Sequence, residues 1–136
     1  MNGLLAKKFH NEDMAKLVLR VTVAFLMLFH GVSKLLGGVG FLEGMFASMG
    51  LPTFFAYGVY IGEVIAPIML LIGFQVRVAA VLLAGTMFVA ILMAHSGDVF
   101  SLTQHGAWAI ELPVFYILTS LAIFFQGAGK YSIDKD

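Results

Sequence analysis

The chain has 136 residues, 60% of them hydrophobic and only 12% charged, against about 25% charged in a soluble domain. So short a chain cannot hide that much apolar surface in its own core, which excludes a water-soluble globule and makes lipid the solvent. Formal net charge is zero, leaving no electrostatic footprint for a nucleic-acid partner; the absence of cysteine removes disulfides, thiol redox chemistry, iron–sulfur clusters and thiolate metal sites.

Four apolar stretches, at 17–36, 53–73, 76–95 and 107–126, each hold about the 20 residues that a helix needs to cross a bilayer. They predict an all-α membrane protein: an antiparallel four-transmembrane-helix bundle forming a single domain over residues 1–136. Basic residues precede the first stretch, but it runs through His30 and Lys34 without a small-x-small cleavage site, so it reads as a span and not as a signal peptide. Residues 37–52 open with glycines and then place apolar residues at 41, 42, 45, 46 and 49, the spacing of a short interfacial helix in the first outer loop. Pro52 suits the first turn of helix two. Gly58, Gly62 and Ala66 give that helix a small-residue face for close packing. The turn Gly73–Phe74–Gln75 is short enough to make helices two and three antiparallel neighbours. Residues 96–106 form a polar loop, and Trp108 after it suits an interfacial anchor. Pro67 and Pro113 are expected to kink helices two and four.

Charge sets the expected orientation. Of the eight Lys and Arg residues, Lys7, Lys8, Lys16, Arg20, Arg77, Lys130 and Lys135 fall on one side and only Lys34 on the other. The positive-inside rule then puts both termini in the cytoplasm.

Ionisable residues at membrane depth are costly, by ~2.5–3.5 kcal/mol each on insertion scales, and persist when paired or put to use. Arg20, Val23, Met27, His30 and Lys34 share one face of helix one, expected to turn inward. Tyr60 and Glu63 share a face of helix two; Trp108, Glu111 and Phe115 form a stripe on helix four. Counting ~1.5 Å per residue from the outer ends puts Lys34 ~3 Å deep, Glu111 ~6 Å, His30 ~9 Å and Glu63 ~15 Å. That depth match predicts a Lys34–Glu111 pair, with helix one beside helix four. Arg20 and Arg77, near the inner boundary, read as snorkelling anchors. His30 and His95 on different helices do not by themselves specify a haem, and no metal site is expected. There is no phosphate-binding glycine loop, no H-E-x-x-H and no nucleophile elbow.

Several of these residues form a family pattern: Arg20, then Phe29-His-Gly-Val-Ser-Lys34-Leu, Gly50-Leu-Pro52, Gly62-Glu63, Arg77, His95, Glu111, and a closing Gly127-Ala-Gly-Lys-Tyr131-Ser-Ile-Asp134. From about residue 16 to 134 the chain resembles the DoxX family of small four-helix bacterial inner-membrane proteins. The family usually has proline where Ala128 stands. Some relatives are subunits of thiosulfate:quinone oxidoreductase, and others are linked to membrane oxidoreductase complexes; no catalytic residues transfer. The resemblance implies a bacterial plasma (inner) membrane protein.

The functional expectation is an integral membrane subunit or accessory of a membrane redox system. A quinone headgroup would sit in an outer-leaflet pocket of His30, Lys34, Tyr60, Glu63 and Glu111, with His30 and Lys34 donating hydrogen bonds and Glu63 or Glu111 relaying protons. No cofactor is intrinsic to the sequence, so electrons would come from a redox partner; a homo-oligomer is left open. The alternatives are a proton-coupled small-solute transporter, for which the chain is short unless it dimerises, and a non-catalytic membrane scaffold.

Overall fold

Asn11 starts the longest helix. Its side chain accepts the Met14 N–H at 2.9 Å, Glu12 and Asp13 fill the first turn, and the helix runs over Glu12–Gly37 (α2) until Gly38, at φ 81°, ends it. The computed structural model describes residues 2–134. The other α-helices are α1 (Asn2–Phe9), α3 (Gly40–Ser48), α4 (Ala66–Ile72), α5 (Val76–Ala94) and α6 (Glu111–Gln126). The fold is all-α; among the described residues the one β-type pairing is an isolated bridge between Leu102 and Trp108. Helix α1 falls in the basic tail that the sequence left unassigned. It exposes Leu4, Leu5 and Phe9.

Three stretches are long and apolar enough to cross a membrane: Glu12–Gly37, Thr53–Ile72 and Val76–Ala94. The 16 residues of α6 reach only ~24 Å. The expected start at residue 107 is corrected: Trp108 bridges to Leu102, and its indole N–H donates to the Val99 carbonyl at 2.6 Å, so residues 107–110 close a loop. Pro113 therefore stands in the first turn of α6, where proline does not bend a helix.

The second span is not one regular helix. Thr53–Gly58 is 3₁₀, Ile61–Ile65 is a π turn, and only Ala66–Ile72 is α. Pro67 supplies a reason. It has no N–H to return to the Glu63 carbonyl, and its ring would clash there. The ladder shifts to a five-residue step, and Ala66 N–H bonds to the Ile61 carbonyl.

The core lies among α2, α4, α5 and α6, around Met27, Leu70, Leu83 and Ile123. Two glycines set the spacing of the π turn. A Cβ on Gly31 of α2 would strike the backbone carbonyl of Glu63, and one on Gly62 would strike the side chain of Thr86 on α5. Of the expected small-residue face, Gly62 and Ala66 make close contacts, whereas Gly58 meets nothing within 4 Å.

The buried stripe of α2 is Arg20, Val23, Ala24, Met27 and Gly31. Arg20 is no snorkelling anchor. It is 0% exposed and donates to the Leu70 carbonyl at 2.5 Å and the Tyr131 carbonyl at 2.7 Å. The closing segment wraps this guanidinium: Ile133 and Asp134 N–H bond to the Ile72 and Gly73 carbonyls, Gln75 N–H donates to the Asp134 carboxylate, and Lys130 N–H to the Asp13 carboxylate. Arg77 is exposed and reaches the Phe124 carbonyl at 2.9 Å.

Two outcomes follow from this packing. Gly31→Leu should destabilise the protein by about 1–3 kcal/mol or more, because backbone and not a flexible side chain must give way; thermal unfolding in detergent that matches wild type would refute the close contact. Arg20→Met should release residues 127–134, read as faster amide exchange there than in α5, because the Leu70 and Tyr131 carbonyls lose a charged donor worth about 1.5–3 kcal/mol.

Candidate functional site: a cavity closed by an ion pair

Gly31 and Lys34 lie one turn apart on α2. The close approach at Gly31 therefore brings Lys34 beside the π turn, and its Nζ meets Glu63 Oε1 at 2.6 Å. Side-chain exposures of 23% and 4% make this a partly desolvated pair, stronger than a surface bridge and dependent on both partners. The Lys34 carbonyl, near the α2 C-terminus, accepts from Gly38 N–H at 2.7 Å and from the Tyr60 hydroxyl at 3.0 Å. Those bonds satisfy a carbonyl that the ending helix orphans, and they fix the backbone that carries the ammonium.

Lys34 and Glu63 border a cavity of about 480 Å³. Its walls are largely apolar: Phe41 and Phe46 from α3, Phe55 from the 3₁₀ turn, Val89 and Met93 from α5. Thr86 lies near Glu63, its hydroxyl donating to the Leu82 carbonyl at 2.8 Å. His95 stands at the far end of the α5 wall, nine residues or ~14 Å along the helix, with Nδ1 3.3 Å from Asp98 Oδ2. Such a chamber, apolar with few polar groups, is the usual form of a small-ligand site. Among the described residues no group of three His, Asp or Glu stands close enough to hold a metal ion.

The sequence-based grouping is recovered in part. Lys34, Glu63 and Tyr60 come together. The expected Lys34–Glu111 pair does not form: Glu111 is exposed in the first turn of α6, and Lys34 bonds Glu63 instead. The depth count failed because it let both helices enter from one plane; the close approach of Gly31 to the Glu63 carbonyl sets their relative height instead, and a lysine stem spans the remaining difference. The stripe of Trp108, Glu111 and Phe115 also faces outward, since the buried residues of α6 are Tyr116, Ser120 and Ile123. His30 is exposed as well. With Gly31 taking the contact, His30 rotates ~100° away, one residue's turn of the helix, and meets the Tyr116 ring edge-on at 6.0 Å. It lines a separate groove with Phe29, Ser33 and Lys34. Thr86, Gly31 and the α3 wall were missed. A lone glycine three residues before a membrane lysine was the available signal for Gly31; Thr86 had none.

Residues 15–96 match the family model described as DoxX. The chain belongs to the DoxX family. The matched range contains every residue that lines the cavity and stops short of the segment around Arg20 that closes the chain. Among curated relatives, the DoxX chain is 35% identical over 122 residues to "Putative oxidoreductase CatD" of Bacillus subtilis (strain 168), covering 90% of this chain and 86% of that one. It is 31% identical over 120 residues to an "Uncharacterized protein" of Haemophilus influenzae (strain ATCC 51907 / DSM 11121 / KW20 / Rd), covering 86% of each. No solved structure matches it.

The pairing makes a quantitative expectation. In a double-mutant cycle, Lys34→Met and Glu63→Gln should couple by about 1–3 kcal/mol, whereas Lys34→Met and Glu111→Gln should add within ~0.5 kcal/mol. Unfolding in detergent with coupling in the second pair and not the first would reverse the assignment.

Proposed function

We propose that this DoxX protein is an integral subunit or accessory of a membrane redox system, and that its cavity receives a quinone headgroup. The observation that carries the reading is the Lys34–Glu63 pair, 2.6 Å apart, at the edge of an otherwise apolar chamber. Lys34 has three N–H donors and uses one on Glu63, so a quinone carbonyl can accept another. Aromatic walls from Phe41 and Phe55 suit a flat ring. Reduction of a quinone takes two electrons and two protons. Lys34 would give its ammonium proton to the reduced quinone oxygen, the Glu63 carboxylate would take up a proton from water and return it to Lys34, and His95 with Asp98 would exchange the second proton with water at the other end of the chamber. Electrons would come from a partner protein. The relative named as an oxidoreductase supports this class of chemistry.

In the bilayer we take α2, Thr53–Ile72, α5 and the shorter α6 as four antiparallel spans, with both termini cytoplasmic and the protein in the bacterial inner membrane. The distribution of basic residues supports that orientation. The α3 helix would then lie at the outer surface. Proton-coupled transport is less favoured, because the carboxylate at this depth is already held by a lysine.

Two measurements test this reading. Membranes carrying Glu63→Gln or Lys34→Met, at matched protein level, should lose quinone retention and quinone-dependent electron transfer, while His30→Ala and Glu111→Gln should keep both. Wild-type retention and rates in the Glu63 and Lys34 variants would sink the quinone and leave a scaffold. The cysteine-free background makes topology simple to read: Ser101→Cys should label from outside intact cells, and labelling only after permeabilisation would invert the orientation.

A further inference from the structure

The second span and α5 do not stay together along their length. At the π turn they are in close contact, Gly62 against Thr86, and α4 continues that packing. One turn toward His95 they part, and the 3₁₀ segment Thr53–Gly58 packs against α3 instead, Phe46 against Phe55 with ring centroids 6.1 Å apart. Two glycines border this divergence, Gly58 one turn beyond Gly62 and Gly85 beside Thr86 at the contact itself. Gly58 and Gly85 both line the cavity, both are exposed, and a Cβ built on either meets no atom within 4 Å. Val89, one turn beyond Gly85, is also exposed, at 47%. If Thr53–Ile72 and Val76–Ala94 cross the bilayer, exposure partway along them meets lipid and not water.

We propose that this gap is a lateral portal, and that the cavity takes a membrane-dissolved amphiphile: a polar head with a hydrogen-bond acceptor for Lys34, and a hydrocarbon chain leaving between Gly58 and Gly85 into the bilayer. The inference deepens the cavity reading above but does not depend on the head being a quinone. Three features support it. The polar groups at the Glu63 end of the chamber are an ion pair that satisfies its own charge, so a neutral acceptor fits better than an ion. The walls are apolar from that pair to the gap, so a chain passing through keeps its hydrocarbon out of water. The rim lacks side chains at the two positions where ordinary residues would shut it.

The test uses introduced thiols in a chain that has none. In Ala90→Cys, on the cavity wall, a lipid-soluble N-alkylmaleimide should react in proteoliposomes faster than a sulfonated, water-confined maleimide. Adding Gly85→Leu or Gly58→Leu should slow the lipid-soluble reagent about tenfold or more, equivalent to a ~1.4 kcal/mol higher entry barrier. Adding Gly44→Leu, on α3 and also free of neighbours within 4 Å, should not. Both rim variants have room for the new side chain, so two independent closures are available, each checked for wild-type thermal stability. Equal rates for the two reagents, or wild-type rates in both rim variants, would overturn the portal and mean that the cavity opens to water. Decylubiquinone separates the two readings. If it protects the Ala90→Cys thiol, portal and quinone stand together. If it does not, while rim closure still slows labelling, the portal stands for another amphiphile and the quinone falls.

Discussion

The architecture around the cavity depends on one backbone contact, that of Gly31 in α2 against the Glu63 carbonyl in the π turn. Pro67 takes away the N–H that an α-helix would have returned to that carbonyl, so the carbonyl faces a neighbour instead. Only glycine allows α2 so near, and the hydrogen in place of a Cβ points at the oxygen, the geometry of a weak Cα–H···O contact. The same turn is held on its other side by Gly62 against Thr86. A five-residue segment fixed on two sides leaves Glu63 little freedom, and Lys34, one turn on from Gly31, arrives within 2.6 Å of it. π turns inside helices recur at functional sites because they redirect one side chain at small cost.

Two cations in one helix meet the membrane problem in different ways. Arg20 spreads its charge over a planar fork whose two Nη atoms donate to backbone carbonyls from two segments, Leu70 and Tyr131. It joins α2, α4 and the closing segment, and it is a structural tie. Lys34 is a compact charge matched by a carboxylate, and its remaining donors are available beside a cavity. Arg20 and Lys34 on one helix thus differ because one is wrapped by backbone and the other borders open space.

Much of the scaffold was readable from residue order. Long apolar runs gave the main helices, the Gly73 turn joined α4 to α5, and glycines followed by apolar spacing gave α3. The closing Gly127–Asp134 pattern lies outside the range that the family model matches, and the structure gives it a physical task in holding Arg20. The N-terminal helix was missed because its eight residues, NGLLAKKF, mix charge and apolar groups without a clear period. The start of α6 was placed early because the Trp108 indole bonds to Val99, nine residues back, and no local pattern announces that.

What the sequence determined by itself was the solvent, the helical class, and which residues were too costly to lie in lipid without a partner. Those follow from composition, run length and the local price of a charge, all properties of single segments. Which partner each charge takes was decided only by tertiary structure. Depth alone favoured Glu111 as the partner of Lys34, and heptad count put His30 and Lys34 on one face. A glycine contact rotated α2 by a fraction of a turn, a proline shifted the ladder of the second span by one residue, and those two changes, acting between segments distant in sequence, chose Glu63 and left His30 and Glu111 outside.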